Sequence, residues 1–187
     1  SGFYSMNALD LVFWSGAWLL LARWAASPSP RLMVVLGLWL GLGLQNKIGL
    51  LVLGAALAVA VLLTPLRRQL LTPAPYLGAA LALLIFAPHL IWQATHGWPT
   101  LEFMSNARQY KISAMSPPQF MGEVVLEQNP FNLLVWPLGL GWLLLARRAR
   151  SFRVLGLTVV AGLVILMVQG AKPYYAAGLF PVLLAAG

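Results

Sequence analysis

Three charged residues interrupt long apolar stretches of this chain: Asp10, Lys47 and Lys172. A carboxylate at the edge of an apolar helix can act as a catalytic base or bind a divalent cation. The alternative is stabilisation of the helix N-terminus. An ammonium group on a flexible stem is suited to holding a phosphate, and the alternative is a lysine that reaches to the membrane surface.

Other polar and aromatic residues accompany these charges and could contact a substrate. They are Asn7 near Asp10, the pair Tyr174 and Tyr175 after Lys172, and a polar cluster of Arg108, Tyr110 and Lys111. The alternatives are an aromatic belt for the tyrosines and a solvated surface for the cluster.

Several kinds of chemistry find no support in the sequence. The chain has no cysteine, which excludes disulfides, Cys-zinc sites and thiol chemistry. It has no HExxH, GxSxG or P-loop pattern, so nothing supports a zinc hydrolase, a serine hydrolase or an NTPase. His89 and His96 are too isolated to predict a metal site.

The composition predicts an all-α polytopic membrane protein. Of 187 residues, 60% are hydrophobic and only 9% are charged, whereas soluble domains carry about 25% charge. Several apolar runs approach the roughly 20 residues that a membrane-crossing helix needs. The net charge of +8 is therefore attributed to membrane orientation rather than to nucleic-acid binding.

Seven crossings are expected, the last of them partial, with one extracytoplasmic loop at residues 93–129 that contains interfacial helices. The crossings follow the apolar runs Leu11–Trp24, the two halves of Leu32–Leu63, Tyr76–Trp92, Pro130–Ala146, Val154–Val168 and Tyr174 onward. Pro88 and His89 suggest a kink or an early exit.

The run Leu32–Leu63 would be about 48 Å long as one helix, which is too long for a single span. A hairpin with Gln45, Asn46 and Lys47 at its tip is therefore predicted, and a re-entrant or strongly bent element is the alternative.

These spans sort the charges by side. Eight arginines and no acid fall on one side, which is therefore cytoplasmic, and all four carboxylates and all three lysines fall opposite. Any chemistry is expected on the extracytoplasmic face. The chain starts at Ser1 without an initiator methionine and stops at Gly187 inside an apolar stretch, so we expect a fragment of one transmembrane domain.

Four pieces of sequence carry a family resemblance. They are Tyr4-Ser-Met-Asn-Ala-Leu-Asp10, Gly41-Leu-Gly-Leu-Gln-Asn-Lys47, His96-Gly-Trp-Pro-Thr-Leu-Glu-Phe103 and Lys172-Pro-Tyr-Tyr. In this order the chain resembles the integral-membrane glycosyltransferases of family 39, the group of dolichyl-phosphate-mannose protein mannosyltransferases and aminoarabinose transferases, particularly its bacterial members.

The resemblance implies a GT-C type helix bundle that transfers a sugar from a polyprenyl-phosphate-linked donor to a protein, lipid or glycan acceptor. It implies Asp10 near the reacting groups, and Lys47 and Lys172 on the donor phosphate. It also implies that an upstream catalytic loop and a downstream C-terminal part are missing, so that the isolated fragment is inactive. No cofactor is required by it beyond an optional divalent cation.

Two other functions fit a polytopic chain. A secondary transporter or flippase of lipid-linked sugars would place carboxylates near the middle of the bilayer and repeat its helices in two related halves. A non-catalytic membrane scaffold would need neither carboxylates in the bilayer nor repeated halves. A location in the bacterial inner membrane is expected for the enzyme.

Overall fold

The computed structural model describes residues 6–110 and 115–187, and for residues 107–110 it describes the backbone only. Within these ranges the chain forms α-helices, 3₁₀ segments and short connections, and no strand. The helices are α1 (Met6–Ala26), α2 (Pro30–Asn46), α3 (Leu50–Leu62), α4 (Ala74–Thr95), α5 (Pro99–Tyr110), α6 (Pro117–Glu127), α7 (Trp136–Leu145), α8 (Arg153–Val168) and α9 (Phe180–Ala186). This confirms the all-α prediction.

In the part of the chain that the structure describes, two helical stretches are long and apolar enough to cross a membrane. They are α4 and the continuous stretch Arg147–Val168, each of 22 residues with mean hydropathies of 1.8 and 2.2. A third is counted if α3 and the 3₁₀ segment Pro65–Leu71, which meet at an angle of 106°, form one broken span. The stretches Pro130–Leu145 and Pro173–Ala186 are apolar but shorter. Seven crossings and the extracytoplasmic loop remain predictions.

The break predicted within residues 32–63 is present. Helix α2 ends at Asn46 and α3 begins at Leu50, so a single long helix is excluded. The two helices pack against different partners, α2 mainly against α4 and α1, and α3 mainly against α8. An apolar groove of about 220 Å³ lies between α2, α3 and α4. The hairpin and its re-entrant alternative both remain predictions.

The predicted boundaries of α4 and α7 need correction. Helix α4 continues through Pro88 to Thr95, so the helix does not end at that proline. The stretch Pro130–Ala146 is divided into a 3₁₀ segment, Pro130–Leu134, and the ten-residue α7.

The core lies along one face of α1. Its buried residues Trp14, Trp18, Leu21 and Trp24 recur at helical spacing and contribute to one hydrophobic cluster with α8 and α9. Trp39 of α2 donates its indole N–H to the Phe13 carbonyl at 2.8 Å. These contacts fix α1 within the bundle, and α1 carries the first of the charged residues.

Close backbone contact joins α2 to α4. A Cβ atom at Gly37 would collide with the backbone of Gly78, and one at Gly78 would meet the Met33 carbonyl oxygen at 2.5 Å. Small residues at such crossings let helices approach closely in the absence of a hydrophobic driving force between them. This contact brings the C-terminal part of α2 beside Ile85 of α4.

Candidate functional site

Lys47 and Asp10 form an ion pair. The Lys47 Nζ atom lies 3.0 Å from Asp10 Oδ2, and each side chain is only 15% exposed. Asn7 Oδ1 accepts a second hydrogen bond from the same ammonium group at 3.1 Å. The structure therefore brings together three of the predicted site residues, although they come from two separate helices.

Three consecutive polar residues, Gln45, Asn46 and Lys47, form a polar triplet that holds the end of α2 to the start of α1. Gln45 donates to the Ile85 carbonyl of α4, at 2.5 Å. Asn46 donates to the Met6 carbonyl at 2.9 Å, and Lys47 reaches the α1 side chains. The triplet thus connects α2 to two neighbouring helices, and its last member enters the site.

A local backbone change at Lys47 directs it there. Lys47 has extended geometry, with φ −157° and ψ 127°, and its N–H donates to the Gly43 carbonyl at the end of α2. Gly43 has no side chain, and Leu50 and Phe13 pack where a Cβ would stand. The helix can therefore end tightly against α1 and α3.

The two predicted tyrosines lie next to the ion pair. Their rings are stacked with centroids 4.4 Å apart. Lys47 Nζ is 5.4 Å from the Tyr175 ring centroid and 5.8 Å from that of Tyr174, within the range of cation–π attraction. The ammonium group thus has carboxylate and amide oxygens on one side and aromatic faces on another.

One carboxylate oxygen of the ion pair has no hydrogen-bond partner among the described residues. Asp10 Oδ1 is buried and accepts no hydrogen bond from the residues that the structure describes. Buried polar atoms are usually paired, and unpaired ones are costly in a region of low dielectric. Asp10 Oδ1 therefore has hydrogen-bonding capacity that no described residue uses.

The position of the tyrosines depends on α1. The Trp18 indole N–H donates to the Gly178 carbonyl at 2.8 Å, a buried contact between α1 and the 3₁₀ segment Pro173–Leu179. Gly178 lies so close to Trp14 that a Cβ atom would collide with its ring. The same helix therefore carries Asp10 and anchors the segment that holds the tyrosines.

We expect Gly178→Ala to lower stability and displace the tyrosine segment. The added methyl group cannot be accommodated without moving the Trp14 ring or the backbone, and overpacking of this kind costs roughly 1–3 kcal/mol. Thermal unfolding in nanodiscs measures the loss. Gly141→Ala is the matched control because a Cβ at Gly141 meets no neighbouring atom within 4 Å. Equal unfolding temperatures for the two variants would contradict the close packing.

Lys172 lies in the wall of a cavity of about 250 Å³ that Tyr174 also lines. Lys172 is exposed and forms no ion pair within 4.0 Å in the described part of the chain. The Lys47 ammonium group and the cavity that Lys172 lines therefore share Tyr174 as a neighbour.

Two glutamates that the sequence analysis did not select also line this cavity, Glu123 and Glu127. Burial, together with repulsion from the Glu123 carboxylate, raises the pKa of Glu127 above its ordinary value. The four-residue spacing in α6 would have placed them on one helix face, but only the packing of α6 against the segment Pro173–Leu179 brings them near Lys172.

The remaining residues that the sequence predicts to contact a substrate lie outside the part of the chain that the structure describes. Lys111 is not among the described residues, and the side chains of Arg108 and Tyr110 are not described either. His89 and His96 stack on Phe86 and Trp92. Among the described residues no three His, Asp or Glu side chains are grouped as metal ligands would be.

Gln93 is a buried polar residue that the sequence analysis missed, although a lone amide in an apolar run is a readable signal. Its side chain accepts from the Thr100 N–H at 3.1 Å and donates to the Thr100 hydroxyl at 2.5 Å. Between them, Gly97 and Trp98 have positive φ values of 73° and 60°. Gln93 thus fixes the turn from α4 into α5.

Gln93→Leu should therefore destabilise this turn. The substitution leaves the Thr100 N–H without its partner, at a cost of about 1–3 kcal/mol. We expect a lower unfolding temperature and faster proteolytic cleavage at residues 96–100. Thr95→Val is the control, because the Thr95 hydroxyl bonds to carbonyl groups of its own helix. Cleavage at the wild-type rate would show that the turn does not depend on the amide.

The apolar helices, together with the ion pair between α1 and the end of α2, define an integral membrane protein with a polar site that contains a carboxylate and an ammonium group. Residues 3–92, just under half of the chain, match the family model of dolichyl-phosphate-mannose-protein mannosyltransferase, and the family resemblance is thereby confirmed. The match indicates a glycosyltransferase of the kind that uses polyprenyl-phosphate-linked sugars. It includes Asp10 and Lys47, whereas Lys172 and the tyrosines lie beyond it. No curated protein and no solved structure matches the chain.

Proposed function

We propose that the chain carries part of the active site of a GT-C glycosyltransferase on the extracytoplasmic face of a bacterial inner membrane. The observation that carries the proposal is the ion pair of Lys47 and Asp10 beside the stacked tyrosines. It supplies a carboxylate, an ammonium group and aromatic surfaces within a region matched by a glycosyltransferase family. The sidedness rests on the eight arginines at the opposite helix ends.

The proposed reaction is a single displacement with inversion at the anomeric carbon. The acceptor oxygen attacks that carbon while its bond to the phosphate oxygen breaks, and the phosphate leaves with the electron pair. The acceptor proton passes to Asp10. Asp10 Oδ2 is held by Lys47, so Oδ1, the unpaired oxygen, is the atom proposed to receive it.

Cations are proposed to stabilise the phosphate as it gains charge. Lys47 has three N–H donors, and Asn7 and Asp10 engage two of them, which leaves one for a phosphate oxygen. Lys172 and Arg108 are proposed as further phosphate contacts. Asn7, Tyr174 and Tyr175, with Tyr110 and Lys111, are proposed to bind the sugar or the acceptor, since stacked aromatic faces suit the apolar side of a sugar ring.

Sugar transfer by the full-length protein tests this proposal. Membranes that carry it are incubated with radiolabelled sugars on polyprenyl phosphate or on nucleotides, in sealed vesicles of both orientations. Transfer from the polyprenyl donor alone, with the extracytoplasmic face accessible, is the expected result. Transfer from nucleotide donors, or movement of the intact donor across the membrane without transfer, would overturn it and favour the transporter.

A further inference from the structure

The apolar groove between α2, α3 and α4 is elongated. Each of these helices lines it with residues at i, i+3, i+4 and i+7, counted from Met33 in α2, Gly54 in α3 and Pro75 in α4. Residues at this spacing form one face of a helix, and seven residues extend about 10 Å along its axis. The groove therefore has a shape that suits an extended hydrocarbon chain lying along the helices.

The polar groups of the groove lie at one end of it. Gln69 belongs to the 3₁₀ segment Pro65–Leu71, which follows α3 and precedes α4. Trp24 lies in the last turn of α1 and is 2% exposed, and its indole N–H has no acceptor among the described residues. The other lining side chains are apolar. The groove thus suits a ligand that has an apolar chain and a polar end.

Positive charge is concentrated at the same end. Arg67 and Arg68 directly precede Gln69, and Arg31 lies in the first turn of α2, two residues before Met33. All three arginines are exposed, and none forms an ion pair within 4.0 Å in the part of the chain that the structure describes. The 3₁₀ segment meets α3 at 106°, so it turns across the end of that helix. The polar end of a ligand in the groove would therefore meet guanidinium groups.

We propose that the groove binds one acyl chain of an anionic glycerophospholipid whose phosphate contacts Arg67 and Arg68. Basic pockets between membrane helices bind anionic headgroups, and the guanidinium fork matches phosphate oxygens. The ester region of the lipid would lie beside Gln69 and Trp24. Such a lipid would join α3 to α2 and α4 at this end of the bundle.

The site is separate from the proposed donor site. The arginines lie at the start of α2, whereas Lys47 follows its end, about 24 Å away along the helix. A sugar donor whose phosphate meets Lys47 would place its charge at the wrong end of the groove. The lipid site therefore does not depend on the proposed function.

The test uses the full-length protein in phosphatidylcholine nanodiscs with a small fraction of a lipid that carries a photoreactive diazirine on its acyl chain. The headgroup of this probe is either phosphatidylglycerol or phosphatidylcholine. Illumination attaches the chain to neighbouring residues, and peptide mass spectrometry locates the adducts. We expect the phosphatidylglycerol probe to label residues 33–40, 54–61 and 75–82 at lower concentrations than the phosphatidylcholine probe does.

Two double variants with the same net charge test the headgroup contact. Arg67→Gln/Arg68→Gln should raise the phosphatidylglycerol concentration for half-maximal groove labelling about 25-fold, the effect of two charges near a membrane surface. Arg147→Gln/Arg148→Gln removes two exposed arginines that do not line the groove and should leave that concentration unchanged. An equal loss in both variants would show general surface attraction and overturn the proposal.

Gly54→Leu tests the chain contact. A Cβ at Gly54 meets no atom within 4 Å, so leucine should fill the groove without collision and reduce groove labelling at least about tenfold. Gly141→Leu is the matched control, because Gly141 has the same open surroundings and does not line the groove. Equal labelling by both headgroup probes, or displacement of the label by uncharged polyprenol as effectively as by phosphatidylglycerol, would overturn the proposal.

Discussion

Replacing Asp10 by Asn is expected to reduce sugar transfer by at least about 100-fold, because removal of a general base costs 10²–10⁴ in rate. Asparagine keeps the size of the side chain but cannot take the acceptor proton. The measurement is the initial rate of transfer from the polyprenyl-phosphate donor at equal protein levels in the membrane. Glu102→Gln, which removes a carboxylate that forms no ion pair with a described residue, should leave the rate unchanged.

The ion pair also allows a purely structural role for Asp10. The Asp10→Asn variant distinguishes that role from the role of a catalytic base. If Asp10 only holds α1 to Lys47, Asp10→Asn will lower the unfolding temperature, and Asp10→Asn/Lys47→Met will recover it, because a lone buried charge costs more than none. Activity would then follow stability. Loss of transfer with a normal unfolding temperature supports the base, and full transfer by the variant rejects it.

Replacing Lys47 by Met is expected to reduce transfer by about 10²–10³-fold, the usual cost of losing one group that stabilises developing negative charge. Lys47 is only 15% exposed, and its ammonium group has hydrogen bonds to two partners, Asn7 and Asp10, among the described residues, so its charge acts in a region of weak screening. The measurement is the rate of transfer at saturating and at limiting donor. Loss at both concentrations indicates a contact that acts in the transition state.

Lys47→Arg provides the matched control. Arginine keeps the charge but is larger and planar, so some activity should return if charge on the phosphate is what matters. Lys172→Met tests the second cation, and its smaller expected effect follows from its exposure. Unchanged transfer in both Lys47→Met and Lys172→Met would show that neither lysine holds the phosphate.

The sequence by itself determined the class of protein and the charges that matter. Apolar runs can be counted because a helix in lipid must satisfy its own backbone hydrogen bonds, and isolated charges within them are conspicuous because they are costly. Hence the helical fold, the break near Lys47 and the family resemblance could all be predicted. The cost of an isolated charge in an apolar run also singled out Asp10 and Lys172 as candidate site residues.

Only the tertiary structure decided which candidates meet. Asp10 and Lys47 are 37 positions apart, and their contact depends on the crossing of α1 and α2 and on the tight end of α2 at Gly43. The tyrosines reach Lys47 because Trp18 holds the segment at Gly178. Glu123 and Glu127 join Lys172 only through the packing of α6. Apolar helices in a bundle have many near-equivalent surfaces, so their composition does not specify which faces pack together. The faces that pack are specified by close backbone contacts and by a few hydrogen bonds between helices.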